Sequence, residues 1–320
     1  MDNEIKLSLE ELALKSKVAI VTGAGAMDFI NGIPIINYLS LLGVKKIILG
    51  NMACQWWRKK GYETMAPELY PLSCLKNIEK ISETVAFISK DTEVETPLYK
   101  GKPPEAIIAE AFNLPTIIIS AEKGVTGIIN GLNEAIAKLN VDLFIQVDCG
   151  SDSLFDGKTG MPLTPLHDFT LLAATSKLNT NSILALTAYA CDGELSSEEL
   201  DQCIANIMKD GGFLGAHGIT QKDVKDLEKA YSLVYDPIDS LVIQAAKGEL
   251  KTYRVMTSRI VKLSPIAAII LFLDPKVVIE HSPAKHLLNT KSIDEIEKIL
   301  IKLGITPETI YEYFVKIYKD

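Results

Sequence analysis

The sequence predicts one α/β domain over 1–320, a doubly wound and mostly parallel sheet with helices on both faces. Three observations carry this expectation. Short apolar runs of strand length alternate with segments of helical period from about residue 18 onward. The run at 141–147 is apolar and β-branched almost throughout, as a strand covered on both faces requires. The turns after these runs are rich in glycine or in acids, the composition of the crevice outside the carboxyl ends of strands in an open sheet.

Taken in order, Ser8 and Glu11 form a capping-box pattern that opens a short helix, and 18–21 is the first strand. In the next turn, TGAGAMDFINGIP, Gly23 and Gly25 allow backbone conformations closed to other residues, Gly32 permits a second close approach and Pro34 suits a first helical turn. This turn reads as a phosphate cradle or as a tight strand-to-helix turn with no ligand. A helix over 33–42 is stopped by Gly43, and a strand follows at 46–49. The segment 51–76 is too long for a plain connection and carries Trp56, Trp57, Arg58, Tyr62 and Tyr70. It reads either as a lid or as a loop whose tryptophans fasten it to the sheet. A strand at 84–89 and a polar linker at 90–104 precede a helix at 105–112.

From there the alternation is regular: strand 116–120, helix 124–139, strand 141–147, helix 165–175, strand 182–188. Ser196 and Glu199 cap the helix that follows. The glycine-rich 211–219, with His217, reads as a flexible connector and a possible internal subdivision. Helices at 221–235 and 240–247, one strand over 252–263, another within 266–273 and helices at 293–303 and 308–319 complete the chain. The elements of 240–320 are expected to pack on the same sheet.

Bulk properties exclude several roles. A formal charge of -8 and a pI near 5.2 oppose a general grip on nucleic acid or an anionic membrane surface. No apolar run approaches the roughly 20 residues of a membrane span, and the N-terminus lacks a secretory signal, so a cytoplasmic location is expected. Five cysteines at no metal-ligand spacing suit reduced thiols. Cys149 and Cys191 stand beside acids that raise a thiol's pKa, and read as small packing residues.

The candidate site follows from position. Asp28, Asp148, Asp152, Asp192 and Glu194 all follow predicted strands, so a parallel sheet brings them to one edge, and Asp168 joins from the helix that closes the loop. So many acids in a dry crevice require raised pKa values, basic partners or a cation. Mg²⁺ is the simplest neutraliser, with Asp148, Asp152 and Asp192 as its ligands. Asp148, Asp152, Asp192 and Glu194 are the candidate catalytic groups. Gly23, Gly25, Asp28, Gly32, Trp56, Arg58, Gly150, Ser151 and Asp168 are the candidate ligand contacts. His167 and His217 are the histidines placed to act as a base, while His281 and His286 read as structural. For each acid the plain alternative is a helix cap or a turn.

At these residues the chain resembles a family catalogued as domain of unknown function 1152. The likeness rests on the glycine turn ending in Asp28, Trp56 with Arg58, DCGSDSLFDG, LTPLHD, ACDGEL and SRIVKLSPIAAIILFLDP. These span nearly the whole chain, which implies a full-length member, and the family brings no assigned activity. Ala24, Ala26 and Met27 stand in a turn that is glycine-richer in the family, and Ser151 where glycine is usual. TGAG followed by GIP is also similar to the NAD-binding turn of sirtuins, with a spacer longer by one and no CxxC pair. That similarity implies a Rossmann-like nucleotide fold and NAD as a ligand.

The functional expectation is a binder of a nucleotide or phosphorylated metabolite at the strand ends, with Mg-dependent group transfer or hydrolysis. The alternatives are an NAD-binding protein without metal, and a non-catalytic ligand sensor or an oligomeric structural protein. A small-molecule ligand is the expected partner, and the apolar 266–273 reads equally as a contact of a homo-oligomer or as a core strand.

Overall fold

The computed structural model describes residues 6–59, 62–63, 67–158, 160, 162–255 and 259–310, with the backbone alone at 58–59 and 62–63. Nine strands make the main sheet: β1 (Val18–Gly23), β2 (Lys46–Met52), β3 (Glu79–Lys80), β4 (Val85–Ile88), β5 (Thr116–Ile119), β6 (Leu143–Cys149), β7 (Asn181–Thr187), β8 (Phe213–Gly218) and β9 (Ile269–Leu273). Their order across the sheet is β8-β9-β7-β6-β1-β2-β5-β4-β3. The five central strands are parallel, and antiparallel pairings carry the sheet outward at both ends.

This is the doubly wound, Rossmann-like α/β fold that the alternation predicts. The chain winds from β1 through β2 to β5, then returns to the other side of β1 to add β6 and β7. The order therefore reverses between β1 and β6, and the loops leaving those two strands diverge.

The helices are α1 (Leu9–Lys15), α2 (Ile33–Leu41), α3 (Pro104–Phe112), α4 (Gly124–Leu139), α5 (Pro165–Thr175), α6 (Ser197–Lys209), α7 (Gln221–Leu233), α8 (Leu241–Ala246), α9 (Pro275–His281) and α10 (Ile293–Lys302). They pack in two groups: α7 touches α2, α3 and α8, while α5 touches α4, α9 and α10. One apolar cluster runs through both groups and the sheet, from Leu9 to Ile305. The capping boxes at Ser8 and Ser196 form as expected, each hydroxyl accepting from the backbone of a glutamate that accepts in return. Among the described residues no helix is long and apolar enough to cross a membrane, and the five cysteines are free thiols.

Three expectations need correction. Residues 211–219 are no loose connector: β8 lies at the sheet edge beside β9, with a register shift between Phe213 and Gly215. An edge strand tolerates the glycines that made this stretch read as a loop. Residues 252–263 are no single strand but a ribbon, Thr252–Val255 against Arg259–Lys262, with its turn outside the described residues. The strand at 141–147 ends later than expected, so Asp148 and Cys149 are its last residues rather than the start of its loop. The expected helix at 308–319 lies mostly outside the described residues.

Within 51–76, the described residues on either side of 58–66 are fastened to the rest of the fold. Cys54–Gln55 pairs with Glu68–Leu69, and Trp57 is buried, stacked on Tyr99 with ring centroids 4.3 Å apart. The Trp57 Nε1–H donates to Glu68 Oε2 at 2.6 Å. Packing is thus the role of Trp57, as the plain alternative held.

Candidate functional site

The turn after β1 is shaped by protein groups that fill the space its glycines leave. A Cβ on Gly23 would lie 2.4 Å from the backbone nitrogen of Phe29, and one on Gly25 would lie 2.6 Å from the His167 ring. Gly32 sits against Val21 of β1. Between them Ala26 takes a left-handed conformation, φ 46°. It is held by its N–H donating to Cys54 O at 2.8 Å, and by its carbonyl accepting from Asn51 Nδ2 at 3.0 Å and Gln55 Nε2 at 2.7 Å.

Both amides also donate to Glu105 Oε1, which lies wholly buried on α3. Burial pushes the Glu105 carboxyl up to about 7, against hydrogen bonds from Asn51 and Gln55 that lower it. A carboxyl whose folded pKa is raised contributes stability that is complete below its unfolded value near 4.3 and is lost as pH rises through about 7. Glu105→Gln keeps an acceptor for both amides and removes that titration. The melting temperature of the variant should therefore gain on the wild type from pH 5 to about pH 7 and level off above it; parallel pH profiles would exclude a buried, protonated Glu105.

The loops leaving β1, β6 and β7 then bring their acids together. A cavity of about 40 Å³ is lined by Asp28, Asp152, Asp168, Asp192, Glu194, Asp236 and Asp239, with Ala26, Trp56, Cys149, Thr164, His167 and Ile238 completing the described wall. Among the described residues no lysine or arginine lines it. Oxygens of Asp152, Asp192 and Glu194 lie within 4.8 Å of one another, and all three residues are buried.

Each is held by neighbours. Ser151 Oγ donates to Asp192 at 2.9 Å and accepts the N–H of Leu195 at 3.1 Å. The Glu194 N–H donates to Asp192 Oδ1 at 3.0 Å. Thr164 Oγ1 lies 3.1 Å from both Asp152 Oδ2 and Glu194 Oε1. Leu163 N–H also donates to Glu194. Arg259 reaches in from the ribbon to the carbonyls of Gly193 and Glu194, at 2.6 and 2.9 Å.

Burial raises Asp28, Asp152, Asp168, Asp192 and Glu194. Asp192 rises to about 7, first by burial and then by the charge of Glu194. Asp152 rises well above the carboxylate range through burial, with Glu194 and Asp168 adding to it, and Asp28 and Asp168 rise likewise. Hydrogen bonds with Asp152 pull Asp192 and Glu194 back down, so these carboxyls share protons where a cation is absent.

His167, at the start of α5, is wedged between two carboxylates. Its Nδ1 is 2.6 Å from Glu308 Oε1 and its Nε2 is 3.1 Å from Asp168 Oδ2. Glu308 also accepts the backbone N–H groups of Leu166 and His167, at 2.8 and 3.0 Å. The other oxygen of Asp168, a residue only 3% exposed, has no hydrogen-bond partner.

The cavity thus joins Asp28, Asp152, Asp168, Asp192, Glu194, Trp56 and His167 among the residues singled out in the sequence. Asp148 stands outside its described wall, buried, with Ser153 N–H donating to it at 3.0 Å and its carboxyl raised by burial to about 6. Ser151 and Gly150 also support rather than line. A Cβ on Gly150, φ 117°, would lie 2.2 Å from Asp192 Oδ2. Gly150→Ala should displace Asp192 and, with left-handed strain of about 1–3 kcal/mol, lower the midpoint of denaturant unfolding; an unchanged midpoint would exclude this close approach.

The side chain of Arg58 lies outside the described residues. His217 is elsewhere, stacked on Tyr38 on β8, with centroids 3.8 Å apart. His281, which reads as structural, is 2.9 Å from Asp210. Sequence reasoning missed Asp236, Asp239 and Glu308. The first two sit in an Asp-Pro turn between α7 and α8, where Asp236 Oδ1 accepts the N–H groups of Ile238 and Asp239 at 2.8 and 3.0 Å. That turn was a legible signal of local structure, though not of which site it meets.

Fold and site together define a doubly wound α/β protein with an ion-sized acidic cavity at its topological switch. Residues 19–316 match the family model described as Protein of unknown function (DUF1152), and the chain belongs to that family. No curated protein and no solved structure matches the chain. The similarity of the first turn to sirtuins therefore has no counterpart in these comparisons.

Proposed function

We propose that Asp152, Asp192 and Glu194 hold a divalent cation, Mg²⁺ in the first instance, in an enzyme of group transfer or hydrolysis acting on a phosphorylated small molecule. The carrying observation is that these three buried carboxylates converge within 4.8 Å in a cavity wall whose described residues include no lysine or arginine, so that Arg259, whose charge lowers Glu194 from outside that wall, sets one positive charge against three acids. The unpartnered Asp168 oxygen in the same wall supports the fit, because a buried acceptor calls for a donor or a cation. A bound cation supplies charge neutralisation and polarisation of a phosphoryl oxygen.

The chain's own groups do the rest. Ser151 and Thr164 fix the carboxylates, and Asp168, oriented through His167 by Glu308, offers a free oxygen to take a proton from water or a hydroxyl. Trp56 in the cavity wall is placed to stack on a ring. A cavity of about 40 Å³ takes an ion and its waters, so the organic part of a substrate lies outside it. A groove of about 840 Å³ shares Glu194 with the cavity and is walled by the start of α6, with Glu198 and Glu199, and by Arg259 and Lys262. Its size is that of a ligand pocket, and its two basic residues stand among acids of the same wall.

A second reading, a non-catalytic cation sensor, is favoured by that ion-sized volume. Nucleotides, NAD and sugar phosphates incubated with the protein and Mg²⁺, and followed by phosphorus NMR, separate the readings. Turnover that needs the cation and is lost in Asp152→Asn is the expected result. Turnover indifferent to Asp152→Asn overturns the assignment. Cation binding with every compound left intact moves the conclusion to the sensor, and NAD binding untouched by chelator moves it to the NAD-binding alternative.

A further inference from the structure

Asp28, Cys149 and Asp239 converge in the same cavity wall from three separate elements: the turn after β1, the last residue of β6, and the turn before α8. Their ligand atoms lie within 4.8 Å of one another and all three residues are buried. The sulfur is set among polar groups, which is unusual for a packing cysteine. Asn31 Nδ2 donates to Cys149 Sγ at 3.0 Å, and Thr187 Oγ1 lies 3.0 Å from it.

Asn31 is itself fixed, its Nδ2 also donating to the Asp239 carbonyl at 3.2 Å and its Oδ1 accepting from Tyr231 at 3.3 Å. Such outer hydrogen bonds are what orient ligands at a metal site. The second, independent observation is Asp168 Oδ1, a buried acceptor without a partner in the wall of the cavity these residues share. Its carboxylate interacts with Asp28 of this set and with Glu194 of the other.

We propose that Asp28, Cys149 and Asp239 form a second cation site, so that the cavity is a two-cation centre with Asp168 in the wall the two sites share. One sulfur with two carboxylates selects a thiophilic first-row ion such as Zn²⁺, Co²⁺ or Fe²⁺, whereas the all-oxygen set suits Mg²⁺ or Mn²⁺. Binding converts the Cys149 thiol to a thiolate, its proton leaving to solvent. The count of two rests on the reading of Asp152, Asp192 and Glu194 given above; the thiolate site does not.

The test is a Co²⁺ titration of the full chain under reducing, anaerobic conditions, counting bound ion by equilibrium dialysis and reading the sulfur-to-cobalt charge-transfer band. The wild type should bind two equivalents and show the band. Cys149→Ser should bind one without it, Asp192→Asn one with it, and Asp239→Asn should shift the band's midpoint at least about tenfold upward in Co²⁺, or about 1.4 kcal/mol. Cobalt bound with no band, or a band that survives Cys149→Ser, overturns the second site and leaves the first standing. One wild-type equivalent, with a band that Asp192→Asn does not affect, supports the thiolate site and overturns the first. No binding by the folded wild type overturns both.

Discussion

Replacing Asp192 with asparagine is expected to weaken Mg²⁺ binding by roughly 100-fold, or about 2.7 kcal/mol, without unfolding the protein. The loss comes from removing a full negative charge from a site that has only acids to offer the cation. The fold survives because the amide keeps a hydrogen bond for each of Ser151 and Glu194 and a second N–H for Asp152. Its oxygen can accept the Glu194 N–H, and its NH₂ can donate to Ser151 Oγ, which keeps the Leu195 N–H as its other contact. Calorimetric titration at pH 8 measures the affinity and thermal melting in chelator checks the fold. Equal affinity in the two proteins would remove Asp192 from the cation site.

The second large effect is a reversal of pH dependence by the cation. In chelator, Asp148 and Asp192 hold protons in the folded state up to about 6 and about 7, while in the unfolded chain they lose them near 3.9. Their contribution to stability is thus complete below about pH 4 and disappears as pH rises through those folded values. The melting temperature of the cation-free protein should fall from pH 5 to pH 8. Mg²⁺ competes with the proton on Asp192, so its stabilising effect should be near zero at pH 5 and grow with pH. At a hundred times its dissociation constant it supplies about 2.7 kcal/mol, a shift of roughly 5 °C. A Mg²⁺ effect of equal size at pH 5 and pH 8 would mean that the ion sits away from the raised acids.

What the sequence disclosed depended on how local each signal was. The helices α4 and α5 have the bounds their patterns predict, because Gly124 and Pro165 punctuate them within the segment itself. The acids at strand ends were legible for a related reason: a parallel strand delivers its exit residue to one edge of the sheet wherever it lies in the order. The ends of the sheet were less legible. β8 and β9 pair antiparallel far from each other in sequence, and Gly215 and Gly218 disguise an edge strand as a loop. Glu308 was hidden altogether, since nothing near it in the chain marks it as the partner of a histidine 141 residues earlier.

That distance bears on how the molecule comes into being. The N-terminal turn of α5 offers two backbone donors and a histidine, and one carboxylate from the far end of the chain accepts from all three positions. During synthesis the sheet from β1 to β7 emerges first, and its acids stand at the crevice before Glu308 has left the ribosome. Until then the crevice is hydrated and its acids ionise as they do in water. The low-dielectric environment that gives these groups their unusual chemistry is therefore a late event in folding, imposed when the last helices dock.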